Sequence, residues 1–415
     1  MLTDAPSGSP TPTSAVGRRT DLDLLRILIC GAVILAHALL IFAAESRYHL
    51  KSAEPSAGAS VLYEFLRITT MAVFFTLAGW AGVGSLRRRG VGRFLRDRVE
   101  RLLPPLVAGT VLLGPVIKFI ELGQGRDLGL HGFRLVIPLR TDFLTFLSMY
   151  FRRLNLLTFS HLWFLAYLFM ISLLLLPLLR WLAARVPRVA VPHAAWVYAP
   201  LLPGAVLLVG CRGYWPFLPN LVSDWTNFAY FALCFGIGAL LAVWPGFEAR
   251  LVTEAPRLLL LSLAAFTGVV LCGESAPGRL CVALTGWGFT GAALGYAARH
   301  RPGHTRLLAY LSEATLPVYI VHHVPVLLLG LAIMPLALPV AARIMLIWLF
   351  ATALSLAIWH WLIRPWRPMR WLTGTALSPV SMRTATPLMP VPGVAARSRW
   401  SRRRWDWAQA SRPAA

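Results

Sequence analysis

Apolar runs of about twenty residues, separated by short polar or basic segments, follow one another along the chain from Leu22 to Ile363. In helical form about twenty residues rise roughly 30 Å, the thickness of the hydrocarbon layer of a bilayer. About ten such runs can be traced. They lie near Leu22 to Ala43, Val61 to Gly84, Leu102 to Ile120, Leu162 to Leu182, Ala194 to Cys211, Thr226 to Trp244, Arg257 to Cys272, Leu280 to Ala297, Thr315 to Leu336 and Val340 to Ile363. The pattern predicts an all-α, polytopic integral membrane protein with about ten transmembrane helices in one bundle.

The polar segments between the runs carry topology. Basic loops stay on the cytoplasmic side. Arg18 and Arg19 precede the first run, "RRRGVGRFLRDRVER" (Arg87 to Arg101) follows the second, Arg180, Arg185 and Arg188 flank the fourth, and "RHRPGHTR" follows the eighth. The alternate loops are poor in Lys and Arg, except the long segment Glu121 to Ser160, and long loops obey the rule weakly. Both termini are therefore expected in the cytoplasm. Composition agrees: 57% hydrophobic and 14% charged residues exceed what a water-soluble core can hide. The formal charge of +23 sits in the loops and the C-terminal tail, so it marks topology and contact with lipid headgroups, not nucleic acid.

Three segments are expected. Residues 1–20, rich in Pro, Ser and Thr, read as a disordered lead, and not as a cleaved signal, because Arg26 interrupts the apolar run behind it. Residues 21–370 form the membrane domain. Residues 371–415, basic and Trp-bearing, read as a disordered cytoplasmic tail. The five cysteines lack metal-ligand spacing and read as packing residues, with a Cys211–Cys272 disulfide left open. No metal site and no permanently bound cofactor is expected, and the oligomeric state is not legible.

The first run carries candidate chemistry. Eleven positions separate Arg26 from His37, a turn of only about 20° past three full revolutions and a rise of roughly 16 Å, so both side chains share one helix face. Asp23 lies on that face too and can pair with Arg26. Each residue has a bland reading, Arg26 as a snorkelling anchor and His37 as a hydrogen-bonded core histidine. Ionisable groups aligned inside a bilayer are nonetheless functional candidates.

"DLLRILICGAVILAH", with Asp-x-x-Arg followed by ten residues and His, resembles the first helix of the acyltransferase 3 family of membrane acyltransferases. "FFTLAGWAGVGSLRRRGVGRFLRDRVERLLPPL" resembles its second helix, basic cytoplasmic turn and third helix. "SHLWFLAYL" and "LSEATLPVYIVHHVPVLLLG" resemble later segments, in the branch containing the glucan biosynthesis protein C succinyltransferases. The likeness covers roughly Asp21 to Arg370. Two departures stand out: Ala78 precedes Gly79 where the family usually has Ser-Gly, so any role of that hydroxyl is lost or moved, with Thr76 the candidate; and where some members carry a large extracytoplasmic hydrolase-like domain, the membrane domain here is expected to deliver the acyl group unaided or pass it to a separate protein.

The resemblance implies transfer of an acyl group, acetyl or succinyl first, from cytoplasmic acyl-CoA to a hydroxyl of an extracytoplasmic acceptor, with a glucan or another cell-surface carbohydrate foremost. It implies a place in a bacterial cytoplasmic membrane. In that setting His37 is the expected catalytic base, with a covalent acyl-His left open, and Asp23 and Arg26 complete the catalytic face. Arg87, Arg88, Arg98 and Arg101 are expected to hold the phosphates of the donor, since guanidinium binds phosphate in a charge-assisted, bidentate way. Arg98-x-x-Arg101 matches the paired arginines of the family. His322 is expected on the donor channel, with at least one of His322 and His323 structural because neighbours on a helix face different sides. Glu64, His161 and Trp163 are expected to meet the acceptor at the outer rim, where Glu64 can equally pair with Arg67 and the other two can form an interfacial belt. The rival from another class is a secondary transporter or flippase, against which stands the lack of an internal repeat.

Overall fold

The computed structural model describes residues 19–129, 132–215 and 223–375. The lead expected over 1–20 lies outside them as far as residue 18, and so does the tail beyond Thr375. The chain is an all-α membrane protein, with one two-stranded sheet among the described residues. Helix α1 (Thr20–Phe42) begins with Asp21 and Asp23 in its first turn, where carboxylates favour the helix dipole. Arg19 ties this end down, bonding Asp21 at 2.6 Å and Glu248 at 2.7 Å, and Arg301 reaches the same Glu248 at 2.8 Å. At the other end the Lys51 ammonium donates to the carbonyls of Leu40 and Ala43, groups left open by the end of the helix.

Helix α2 (Ala57–Leu112) is two limbs joined at Gly90, whose φ of 74° only glycine adopts without strain. Then come α3 (Gly114–Gly123), the antiparallel hairpin β1 (Arg126–Gly129) and β2 (Gly132–Leu135), and α4 (Phe143–Arg152). A 3₁₀ turn, Ser160–Leu162, leads into α5 (Trp163–Leu174), α6 (Leu176–Ala183), α7 (Ala195–Tyr198), α8 (Leu201–Cys211), α9 (Trp225–Leu241), α10 (Pro245–Cys272) and α11 (Ala276–Arg299). The last elements are α12 (Arg306–Val321), α13 (His323–Ile333), α14 (Val340–Ala357), which runs on as a π turn to Ile363, and α15 (Arg367–Leu372). Helix α1 packs on α2, α11, α12, α13 and α14 and is central to the bundle. Helices α2 and α9 meet through reciprocal glycines: a Cβ on Gly79 would lie 1.9 Å from the Phe235 carbonyl, and one on Gly238 would lie 1.9 Å from that of Thr76.

Every apolar run of the sequence falls on helix, but several are interrupted. By length and apolarity α1, α2, α10, α11 and α14 with its π turn can each cross a bilayer, and counting the bent pairs α5/α6 and α12/α13 as single spans brings the number to seven. The bends, 60° and 62°, sit where Pro177 and Pro325 withdraw the N–H that a residue four back would accept. The run expected over Leu102 to Ile120 divides between α2 and α3, and the run from Ala194 divides between α7 and α8. Large apolar side chains such as Leu202, Leu260 and Leu271 stand exposed on the outer helix faces, the surface lipid would cover. All five cysteines are free, Cys211 and Cys272 included.

Candidate active site

The break between α12 and α13 brings histidines together. Bending at His322 turns both His322 and His323 toward α1, where their ring centroids lie 5.2 and 4.5 Å from that of His37. A continuous helix would have sent them to different sides, and the expectation that neighbouring histidines part company fails for that reason. His161, from the turn before α5, completes the group: its ring stacks on His323 at 4.7 Å and stands 6.3 Å from His37. It is therefore buried in the bundle beside His37.

Some ring nitrogens are tied to backbone and others are not. His161 Nε2 pairs with the Ile320 carbonyl at 2.9 Å and His322 Nδ1 with that of Tyr319 at 2.7 Å, while the Tyr319 hydroxyl donates to the His161 carbonyl. His37 Nδ1, His161 Nδ1, His322 Nε2 and both nitrogens of His323 are buried without a partner. Nitrogens of His37, His322 and His323 lie within 4.8 Å of one another. A tetrahedral zinc ion with Zn–N bonds of about 2.0–2.1 Å needs its ligand atoms only about 3.4 Å apart, so these rings would have to close inward to hold one.

Above the cluster is a cavity of about 230 Å³, lined by His37, Tyr48, Arg67, His161, Trp163 and His323 among others. By the same measure a single water needs roughly 10–15 Å³, so the space suits a ligand. It reaches the α1–α2 loop at Glu45 and Arg47, which pair at 2.8 Å. Burial alone would raise the Glu45 carboxyl, but hydrogen bonds from the Arg47 side chain and N–H hold it below the ordinary range. Trp163 stacks on Phe231 at the wall. Glu64 is bonded to Arg67, the mutual pairing that their spacing allows, and it is Arg67 that reaches the cavity.

The cationic residues gather toward the other end of α1. Arg26 pairs with Asp23 at 3.3 Å. Arg98, its guanidinium 4.9 Å over the Phe94 ring, feels the charges of Arg101 and Asp97 on the second limb of α2 and of Arg26 on α1. Arg87 is spent on the end of α6, donating to the carbonyls of Leu182, Ala183 and Arg185. Arg88 is exposed beside Gly84. Among the described residues that line the cavity, none of Arg87, Arg88, Arg98 or Arg101 appears.

Sequence reasoning did not select His49, Glu121 or Ser160. His49 Nε2 lies 2.8 Å from Ser160 Oγ, and its Nδ1 is bonded to the Glu121 carboxylate. They come from the α1–α2 loop, α3 and the turn before α5, and nothing in local spacing links them.

A bundle of apolar helices enclosing a histidine-lined cavity, with a cationic group along the same helix, is the frame of a membrane enzyme of group transfer. Residues 19–377 match the family model described as an acyltransferase domain, and the chain belongs to that acyltransferase 3 family. It is similar to glucans biosynthesis protein C of Salmonella heidelberg, 25% identical over 337 residues that cover 76% of this chain and 84% of the relative. The proteins of the same name from Salmonella schwarzengrund and Salmonella agona match to the same extent. No solved structure matches.

Proposed function

We propose that this acyltransferase moves an acetyl or succinyl group from cytoplasmic acyl-CoA to a hydroxyl of an extracytoplasmic carbohydrate, a glucan foremost, across a bacterial cytoplasmic membrane. In this reading the ten apolar runs are ten spans, with both termini inside. The observation that carries it is His37 Nδ1, buried without a partner on a cavity roomy enough for a ligand. Support for a carbohydrate acceptor comes from the name of the relatives.

Each residue has a task in this scheme. Arg26, Arg98 and Arg101 bind the donor phosphates, Arg88 extends that surface, Arg87 shapes it from the end of α6, and Asp23 orients Arg26. The pantetheine arm runs along α1 past His322, over a rise of roughly 16 Å from Arg26 to His37. His37 takes the proton of the acceptor hydroxyl as its oxygen attacks the acyl carbonyl carbon; the bond from that carbon to the departing group breaks, and over the cycle CoA, freed from its C–S bond, takes up a proton and leaves as the thiol. Arg67, held by Glu64, and His161 and Trp163 contact the acceptor.

The test is acyl-CoA consumption by the purified, reconstituted protein supplied with a cell-surface glycan fraction. Wild type should consume one acyl donor in preference to others, His37→Ala should not turn over, and Arg98→Ala should need more donor to reach half-maximal rate. A wild type that neither binds nor consumes any acyl-CoA overturns the donor assignment, and full activity in His37→Ala overturns the base.

A further inference from the structure

The His49 group has the connectivity of a nucleophile, a base and an orienting acid. Ser160 Oγ is 2.8 Å from His49 Nε2, and His49 Nδ1 is bonded to Glu121. Glu121 is itself held, accepting from Lys118 Nζ at 2.5 Å and from the Leu128 N–H at 2.6 Å, so the carboxylate cannot turn away from the ring. His49 and Glu121 are buried, and Ser160 and His49 line the same cavity as His37. A serine that merely satisfied a buried imidazole would need no special backbone. Ser160 has a φ of 41°, the only non-glycine in the left-handed region among the described residues, and such backbone strain collects at functional sites.

We propose that Ser160 carries the acyl group as an ester between donor and acceptor, with His49 as its base and Glu121 as a positioning residue. The proposal rests on the acyl-transfer reading and deepens it. In the first half Oγ bonds to the carbonyl carbon while its proton passes to His49 Nε2. The C–S bond then breaks and the leaving sulfur takes that proton, so CoA departs as the thiol. In the second half the acceptor oxygen attacks the ester carbonyl carbon while its proton goes to His37, the bond from that carbon to Oγ breaks, and Oγ takes that proton back across the cavity that His37 and Ser160 both line. His323, with ring centroids 4.5 Å from His37 and 5.1 Å from His49, packs between the two imidazoles. Nothing is oxidised or reduced. Storing the acyl group on Ser160 lets CoA withdraw to one face before the sugar engages from the other.

The experiment uses purified full-length protein without acceptor, exposed separately to acetyl-CoA, succinyl-CoA and the activated ester p-nitrophenyl acetate, with intact mass and peptide mapping as the readout. An acyl increment on the Ser160 peptide is expected, discharged on adding glycan and lost in Ser160→Ala. Ser160→Cys, close in shape, should capture the group as a thioester that hydroxylamine cleaves. Glu121→Gln should slow labelling roughly 10²- to 10⁴-fold and move its pH profile, which a purely structural carboxylate would not do. Label from the activated ester but not from either CoA ester supports the serine and removes the acyl-CoA reading. Turnover without label, or Ser160→Ala transferring at the wild-type rate, overturns the serine and leaves that reading intact. Failure of folded wild type to be labelled by the activated ester overturns it as well.

Discussion

His323 touches His37, His49, His161 and Tyr48 with its ring and pairs neither of its nitrogens. A buried polar atom left unpaired costs about 1–3 kcal/mol, and this cluster holds several. That is a poor way to stabilise a bundle and a good way to hold and pass protons. Replacing such a group with an apolar residue of similar volume is often neutral or stabilising. His323→Phe is therefore expected to keep or raise the thermal midpoint in detergent while transfer falls, and unchanged transfer would return the cluster to a structural role. His37→Gln should lower transfer by roughly 10²- to 10⁴-fold with the midpoint nearly unmoved, the size of a lost general base. The base mechanism also predicts indifference to chelation. Exhaustive treatment with EDTA and elemental analysis should leave the rate as it was, whereas inhibition reversed by zinc would make the three imidazoles ligands instead.

At the scale of elements, the site depends on a bend. Pro325 removes the N–H that the Val321 carbonyl would accept, and the helix opens between α12 and α13 where His322 and His323 leave it. Pro325→Ala restores the donor. The expected result is a midpoint held or raised and a marked loss of transfer, because a straighter helix carries the imidazoles away from His37. The hairpin is tied to α3 in a similarly local way: Asp127 accepts from Lys118 at 2.5 Å and from Arg134 at 3.0 Å. Burial would raise the Asp127 carboxyl, but these two cations outweigh it and hold the group below its ordinary 3.8. A carboxylate depressed on folding adds stability that is present above 3.8 and lost as pH falls through the folded value. Asp127→Asn should thus cost about 1 kcal/mol or less near neutral pH and nothing once the wild-type carboxylate is protonated, read from midpoints across a pH series. These elements divide what was legible from what was not. Asp23 with Arg26 and Glu64 with Arg67 pair as their i,i+3 spacing foretells, and the apolar runs all become helix. The proline bends scatter the remainder: periodicity marks how long an apolar run is, not where it breaks. His49, Glu121 and Ser160 meet across 72 and 111 positions of chain, a contact that only packing creates.

Over the whole molecule, two groups of candidate residues gather about α1: guanidinium groups, from Arg26 and the second limb of α2, near its beginning, and imidazoles with the cavity near its end. If acyl transfer runs from cytoplasm to exterior, the Arg87 to Arg101 turn must face inward and the Ala43 to Ser56 loop outward. Charge supports that orientation, since the turn is dense in arginine and the loop carries balanced charge. The orientation is testable without a substrate. In a variant whose native cysteines are replaced, Ser52→Cys should react with a membrane-impermeant maleimide in intact cells, and Arg89→Cys only after the membrane is opened. Both residues are only partly buried or exposed, so protection of one and not the other reports sidedness and not packing. The reverse pattern would put the arginines where no acyl-CoA exists and the cavity where no cell-surface sugar does. Neither the phosphate-binding task given to Arg98 nor the acceptor task given to His161 and Trp163 would survive that result, whatever the chemistry of His37.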